Sequence, residues 1–463
     1  MPSPDYLVHA DRIAAEIRGG LRPAGQKLPP VRHYAFEQGI AVSTAARVYA
    51  ELVRRGLTSG EVGRGTFVRA LPAGASLSEP GREAVIDLEF NATGHRPEDM
   101  APLAEAMSRV ASSGFLRAAT ASASAHGHAV LTRSLAAHLS RGGWTPDAGH
   151  ILLAGGGRHG IAGAFAALAE PGAAVGLEAI TYPMAKAIAH RLGLPAVPLA
   201  MDGEGVLPDA IARAHASQGV KLIYVQPCLH NPLGMTMGHD RRRRIADCLK
   251  RHGLTLIEDA VYGFLDPEAP PPIAALAPDE TILIDSFSKR GFSGVPVGFL
   301  VVASPALRGR VATGLRSGAW LAAPINLALL STMLDSGALP QIEARKRAGA
   351  IERQRLVRSG LQDWSVEGDP RAYHLWLRLP PSWRAEAFGT AALRAGVAVT
   401  PAQNFSVQAG HAPDAVRLAF ATPSLGELKQ AVERLAALLL AGPGEVPIVD
   451  QPGGKHGFAV IGP

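Results

Sequence analysis

Ile282-Leu283-Ile284-Asp285-Ser286-Phe287-Ser288-Lys289 is the stretch that decides the fold. A short, wholly apolar run ends abruptly in a cluster of polar side chains. Unbroken apolar runs of this kind mark strands covered on both faces, whereas half-exposed strands alternate. Two more stretches have the same build. Leu254-Thr255-Leu256-Ile257 leads into Glu258-Asp259-Ala260-Val261-Tyr262, and Leu222-Ile223-Tyr224-Val225 leads into Gln226-Pro227-Cys228-Leu229-His230-Asn231-Pro232-Leu233-Gly234. Further apolar runs at 151–153, 174–177 and 298–302 are separated by helical stretches such as 130–141 and 157–169. Strands alternating with helices predict an α/β domain with a mostly parallel sheet. In such sheets ligand groups gather at the carboxyl ends of the strands, which is where the polar clusters fall.

Taken in order, the three clusters resemble the fold-type I, class I/II aminotransferases, which use pyridoxal 5'-phosphate. The resemblance implies that Lys289, after Ser-x-Ser, is the catalytic Schiff-base lysine; such an amine must lose its proton, which a partly dry pocket favours. It implies that Asp259 holds a proton on the pyridine nitrogen, and that Asn231 and Tyr262 bond the ring hydroxyl. Tyr182, in Ile180-Thr181-Tyr182-Pro183, matches the aromatic position stacked on the ring. Ser286 and Ser288, with the Gly156 and Gly157 amides opening a helix, would hold the phosphate. Arg417 matches the arginine that grips a substrate carboxylate through paired hydrogen bonds. The pattern is incomplete at the phosphate. Val295-Pro296-Val297 stands where the family has an arginine, Ser122 where it has a tyrosine reaching the neighbouring subunit, and Gly157 where a side chain is common. The phosphate clamp is thinned, and Arg158 and Arg290 are the candidates to compensate.

The first 70 residues read differently. Leu7, Ala10, Ile13, Ala14 and Ile17 share one helical face, and Gly19-Gly20 ends that helix. Leu28-Pro29-Pro30 opens a second short helix ending at Gly39. A third runs from about 42 to 54 and ends at Gly56, and a hairpin occupies 57–68 around Glu61-Val62-Gly63-Arg64-Gly65. This is a winged helix-turn-helix. Leu28-Pro29-Pro30-Val31-Arg32, Ser43-Thr44, Arg47, Tyr49 and Gly63-Arg64-Gly65-Thr66-Phe67-Val68 resemble the DNA-binding heads of the GntR family. The resemblance implies that Arg32 meets phosphate, that Ser43, Thr44 and Arg47 face the major groove, and that Arg64 sits at the wing tip. Ala41 and Val42 depart from it, where a polar residue is usual. The head holds ten Lys/Arg against six acids, or +4 of the chain's net +6, which suits a polyanion.

The division expected is 1–69 DNA-binding head, 70–84 linker rich in Pro, Gly, Ser and Ala, 85–442 aminotransferase-like body and 443–463 tail. Within the body, the large lobe spans about 130–310. A GntR-like head on such a body is the layout of the MocR subfamily of transcriptional regulators. It implies a homodimer, double-stranded DNA as partner, and a small amino compound as effector or substrate. The chain has 463 residues, 47% of them apolar and 19% charged, which excludes wholesale disorder. No apolar run is long enough to span a bilayer, and the first residues, Met1-Pro2-Ser3-Pro4-Asp5-Tyr6, do not read as a signal peptide. Cys228 and Cys248 lack metal-ligand spacing and read as reduced thiols, so a cytoplasmic protein without membrane or metal partners is expected. The arginine run 241–244 reads as a solvated helix face. Three readings remain open: a regulator sensing the cofactor or an amine, an active transaminase with a DNA-binding appendage, and a dimer scaffold that no longer binds the cofactor.

Overall fold

The computed structural model describes residues 5–18, 22, 26–54, 57–61, 65–68, 85–92, 97–112, 120, 122–408 and 410–443. The linker 70–84, Arg64, the helix-ending Gly19-Gly20 and Gly56, and the tail from 444 onward lie outside these residues. In the head, α1 (Asp5–Arg18), α2 (Val31–Glu37) and α3 (Val42–Arg54) precede an antiparallel pair, β1 (Thr58–Glu61) and β2 (Gly65–Val68). Ala10, Ile13, Ala14 and Ile17 of α1 are buried against Tyr34, Val48 and Leu52, as their helical spacing predicts. The Tyr49 hydroxyl donates to Pro29 O at 2.7 Å and ties α3 to the turn before α2.

The body begins with β3 (Ile86–Asp87), α4 (Pro97–Ser112) and α5 (Ala129–His138). Its main sheet contains β4 (Ile151–Ala154), β5 (Val175–Glu178), β6 (Ala196–Leu199), β9 (Leu222–Val225), β10 (Thr255–Asp259), β11 (Thr281–Ser286) and β12 (Gly298–Val302). Between β6 and β9 lies a small hairpin of β7 (Met201–Asp202) and β8 (Gly205–Val206). The sheet order is β4-β12-β11-β10-β9-β5-β6. Only β12 runs antiparallel to its neighbours. Six of the seven strands follow runs visible in the sequence. The edge strand β6 does not, because Pro198 interrupts it; that proline is exposed, and an edge is where a strand tolerates one.

Since β12 runs backward, its first residue, Gly298, lies at the same edge of the sheet as Ser286 and Ala154, the last residues of β11 and β4. A Cβ at Gly298 would stand 2.5 Å from the Gly156 carbonyl carbon, so only glycine fits there. Gly156 itself has φ 133°, open only to glycine. It caps α6 (Gly157–Leu168), which leaves the sheet at this edge. The smaller lobe is an antiparallel sheet, β13 (Val366–Glu367), β14 (His374–Arg378), β17 (Ala415–Ala419) and β16 (Thr400–Pro401) in the order β13-β14-β17-β16. A parallel pair of β3 with β15 (Val397–Ala398) lies beside it. Its core gathers Leu88, Trp383, Phe388, Leu418 and Leu435.

The arginine run is not a solvated face. It lies at the start of the helix His239–His252, where Arg241 and Arg242 are buried and Arg243 and Arg244 exposed. Arg241 pairs with Asp202 of β7 at 2.7 Å and donates to the Gly205 and Val206 carbonyls of β8. Arg242 donates to the carbonyls of Met237, Pro227 and Pro271 and lies 3.6 Å from buried Glu258. A helix turns about 100° per residue, so four adjacent arginines cannot share one environment. Arg242→Ala leaves Glu258 as a buried charge without this cation and is expected to cost about 3–5 kcal/mol. Arg243→Ala is expected to stay within about 0.5 kcal/mol. Thermal unfolding of the two variants checks this; equal midpoints would contradict it.

Candidate functional site

The carboxyl edge of the main sheet brings together the site residues read from its strand ends. Asp259 closes β10. Its Oδ2 accepts from the Tyr224 hydroxyl at 2.6 Å and from Gln226 Nε2 at 3.0 Å, and its Oδ1 from the Val261 amide. Burial raises its carboxyl to about 6 despite these donors. Among the described residues it makes no salt bridge. A buried carboxylate in that condition gains from a cationic donor such as a protonated ring nitrogen. Gln226 also bridges, its Oε1 accepting from the Asn231 amide at 3.2 Å, so the Asp259 and Asn231 positions are fixed together.

Asn231 Oδ1 accepts from Arg417 Nη1 at 3.0 Å, which leaves the Asn231 amide hydrogens for another acceptor. Tyr262 is oriented by a longer chain. Burial pulls His374 down to about 3, so its ring is neutral. Its Nε2 donates to His230 O at 3.0 Å, which makes Nδ1 an acceptor. Asn91 Nδ2 lies 3.2 Å from that Nδ1 and 2.9 Å from the Tyr262 hydroxyl oxygen, and donates to both. Tyr262 thereby keeps its own proton to give. Asn231 and Tyr262 are two donors suited to one phenolate oxygen. Behind them, buried His230 and Glu178 pair at 3.1 Å.

Lys289 lies in the one-turn helix Phe287–Arg290, directly after β11. Its Nζ donates to the Asn91 carbonyl and stands 5.6 Å from the centre of the Tyr262 ring. Enclosure, then the positive charges of Arg158, Arg417 and Lys346, lower its amine to about 7. Buried Lys346 donates to the carbonyls of Lys289 and Gly291 and so holds the end of this turn. Ser286 caps the turn: its Oγ accepts from the Ser288 amide at 3.2 Å and donates to Val297 O at 3.1 Å. Ser288 is half-buried beside it. A Cβ on Gly157 would lie 3.4 Å from Ser286 Cβ, an ordinary contact, so the start of α6 packs next to the end of β11 without requiring glycine there.

The two candidate replacements for the missing phosphate arginine part here. Arg290 is buried and bound to Asp285 and Glu343, with Nη contacts of 2.5 and 2.7 Å, so it is committed to structure. Arg158 is exposed, and its Nε donates to the Tyr182 hydroxyl at 3.0 Å, next to the ring-stacking position. Tyr182 is half-buried and caps the helix Pro183–Arg191.

Arg417 occupies the middle of β17. Its Nη2 donates to Thr400 Oγ1 at 3.1 Å and to the Glu89 carbonyl, and its guanidinium lies 4.9 Å from the Phe405 ring centre. Burial brings it down to about 10. Its Nε is buried without a hydrogen-bond partner among the described residues. Such an orphan costs free energy unless a ligand oxygen meets it. In the head, Arg32, Ser43 and Arg47 are exposed and Thr44 is half-buried. Ser43 and Arg47, four apart on α3, share a face. Ala41 supplies the carbonyl for the first bond of α3 but has no side chain to cap it, and Val42 is exposed beside it.

The pattern of the aminotransferase class I and II family matches residues 85–435, and the chain belongs to that family. Its full-length relatives are helix-turn-helix regulators. It is 28% identical over 440 residues to the HTH-type transcriptional regulator YdeF of Bacillus subtilis (strain 168), covering 94% of each chain. It is 25% identical over 407 residues to the vitamin B6 salvage pathway transcriptional repressor PtsJ of Salmonella typhimurium, covering 86% of this chain and 90% of that one. Its fold is that of the Pyrococcus horikoshii kynurenine aminotransferase, with a TM-score of 0.72 at 20% identity over 84% of this chain and 98% of that one. The regulator layout and the aminotransferase fold read from the sequence are thus borne out.

An amine held near 7 is half neutral at that pH. The rate at which Lys289 combines with pyridoxal phosphate is expected to rise about tenfold per pH unit below pH 7 and to level off by about pH 8. Stopped-flow absorption from pH 5.5 to 10 checks this. A rate still climbing at pH 9.5 would mean an ordinary exposed lysine.

Proposed function

We propose that this protein is a DNA-binding transcription regulator of the GntR/MocR type whose body binds pyridoxal 5'-phosphate and an amino compound carrying a carboxylate. The observation that carries the reading is the convergence of Asp259, the Asn231–Tyr262 donor pair and the lowered Lys289 amine at the edge of the main sheet with Arg417 of the smaller lobe, which is bonded to Asn231, in a chain that also has a winged head. The name of PtsJ, a vitamin B6 salvage repressor, fits the same reading.

When bound, the cofactor supplies an aldehyde for amines and a ring that withdraws electrons. The protein's residues do the rest. Lys289 Nζ offers the amine, Asp259 keeps a proton on the ring nitrogen, and Asn231 and Tyr262 donate to the ring oxygen. Tyr182 covers the ring. Ser286, Ser288, Gly156, Gly157 and Arg158 hold the phosphate, with Ser286 contributing mainly by fixing the turn, since its proton already goes to Val297 O. Arg417 takes the carboxylate. In the head, Arg32 and Arg64 meet backbone phosphates or the minor groove, and Ser43, Thr44 and Arg47 face the major groove. The protein works as a homodimer in the cytoplasm, with two heads addressing one duplex. A second reading, turnover as a transaminase, is favoured by the complete set of Lys289, Asp259 and Arg417.

Two measurements on the purified full chain separate these readings. Affinity for duplex DNA is expected to fall on the order of 10³-fold between 50 and 200 mM salt. Arg32→Ala is expected to reduce the salt slope by about 1 for each bound head. A salt-independent affinity, or an unchanged slope in that variant, would contradict the head assignment. Steady keto-acid production across a panel of amino acids would move the body from sensor to enzyme.

A further inference from the structure

Not every contact in the site comes from the main sheet. Residues 85–92 directly follow the linker segment in sequence, and they run from the smaller lobe into the site. The Ile86 amide donates to Gly396 O and the Leu88 amide to Ala398 O, both at 2.9 Å, while the Ala419 amide donates to Leu88 O at 2.8 Å. Leu88 is fully buried in the smaller lobe's core. The chain then turns on Asp87, whose Oδ1 accepts from the Glu89 amide at 2.7 Å and the Phe90 amide at 3.0 Å. Within the next few residues it touches three site side chains. The Glu89 carbonyl accepts from Arg417, the Asn91 carbonyl accepts from Lys289, and the Asn91 amide donates to Tyr262.

We infer that Glu89–Asn91 is the element through which ligand occupancy reaches the DNA-binding head, because its two carbonyls hold the same two cations that an aldehyde and a carboxylate must engage. The inference rests on the proposed function and adds the route of regulation. When Lys289 Nζ condenses with an aldehyde, the ammonium gives one proton to solvent. Its two remaining hydrogens leave with the aldehyde oxygen as water, and a C=N bond replaces C=O. The nitrogen then points along that bond and no longer offers an ammonium hydrogen to Asn91 O. A carboxylate on Arg417 competes with Glu89 O for Nη2. Each ligand therefore interacts differently with the held and released positions of this segment, which is the condition for shifting between them. A change at 89–91 is carried toward 85, next to the end of the linker, through the Asp87 turn that its two hydrogen bonds hold.

The Asp87 carboxylate holds the turn through the Glu89 and Phe90 amides and also acts by charge on Arg417, so Asp87→Ala breaks the turn while every site side chain is kept, and Asp87→Asn separates loss of the charge from loss of the turn. The test uses the full chain and a duplex selected in vitro by the native protein. In the native chain, saturating pyridoxal phosphate with an amino acid is expected to change DNA affinity about tenfold. In Asp87→Ala the visible band of lysine-bound cofactor should still form, while the change in DNA affinity falls below about twofold. Asp87→Asn keeps the Oδ1 acceptor and should restore it. Independently of any variant, hydrogen exchange at Glu89 and Phe90 should quicken about fivefold on ligand addition in the native chain and stay constant in Lys289→Ala. Full coupling in Asp87→Ala, or unchanged exchange in the native chain while the band forms, would overturn the inference. Absence of the band in the native chain would instead remove the proposed function, and the inference with it.

Discussion

The site depends on a carboxylate that has been taken out of water without a salt-bridge partner among the described residues. Asp259 ends a central strand between two parallel neighbours, where no water-exposed position is open to it. Three donors soften the cost of burying it, yet its carboxyl still rises to about 6. An ion held this way stores free energy that a matching cation can recover. The rest of the edge is arranged around the same space. Gln226 ties Asp259 to Asn231, and Asn231 is bonded to Arg417 of the smaller lobe, which is held in turn by Thr400.

Lys289 is the counterpart of Asp259 and is tuned by the same enclosure in the opposite direction. Enclosure disfavours its ammonium, and three nearby cations add to the effect, while Asp259 opposes it. The two groups thus hold a neutral amine and an ionisable acid at about the same pH in one space. Their support is structural rather than chemical. Arg290 pairs with Asp285 and Glu343 under the lysine's turn, His138 lies 2.9 Å from Glu343, Glu343 is lowered to about 2, and Lys346 closes that turn from below. Rigid backing of this kind is what holds a reactive side chain at a defined angle.

Much of this was legible in the sequence because the candidate site residues cluster in the first few positions after apolar strand runs. Asp259, Asn231 and Lys289 are announced by position as well as type. What stayed hidden was set by tertiary contacts. Asn91 and Glu89 lie in a segment with no periodicity and no motif, and they engage Lys289 and Arg417 through their backbone carbonyls, which no residue type reveals. Tyr224 reads as one more strand residue, although its hydroxyl holds Asp259. Arg290 is adjacent to Lys289 in sequence but rotated about 100° from it around the turn, so it meets Asp285 and Glu343. The buried Arg241 and Arg242 were invisible for a similar reason, since the hairpin that receives Arg241 carries only four paired residues. In the head, apolar spacing marked the first helix, and proline and glycine punctuation marked the other two.

The most direct measurement is the visible absorption spectrum of the purified chain titrated with pyridoxal phosphate, taken for the native protein, Lys289→Ala and Asp259→Ala. The account predicts a lysine-bound cofactor band in the native protein, none in Lys289→Ala, and a weakened, shifted band in Asp259→Ala. A band of equal strength in Lys289→Ala would place the chemistry on another lysine. No band in the native protein would leave the buried Asp259 and the lowered Lys289 amine without the ligand that explains them, and the body would then be a scaffold.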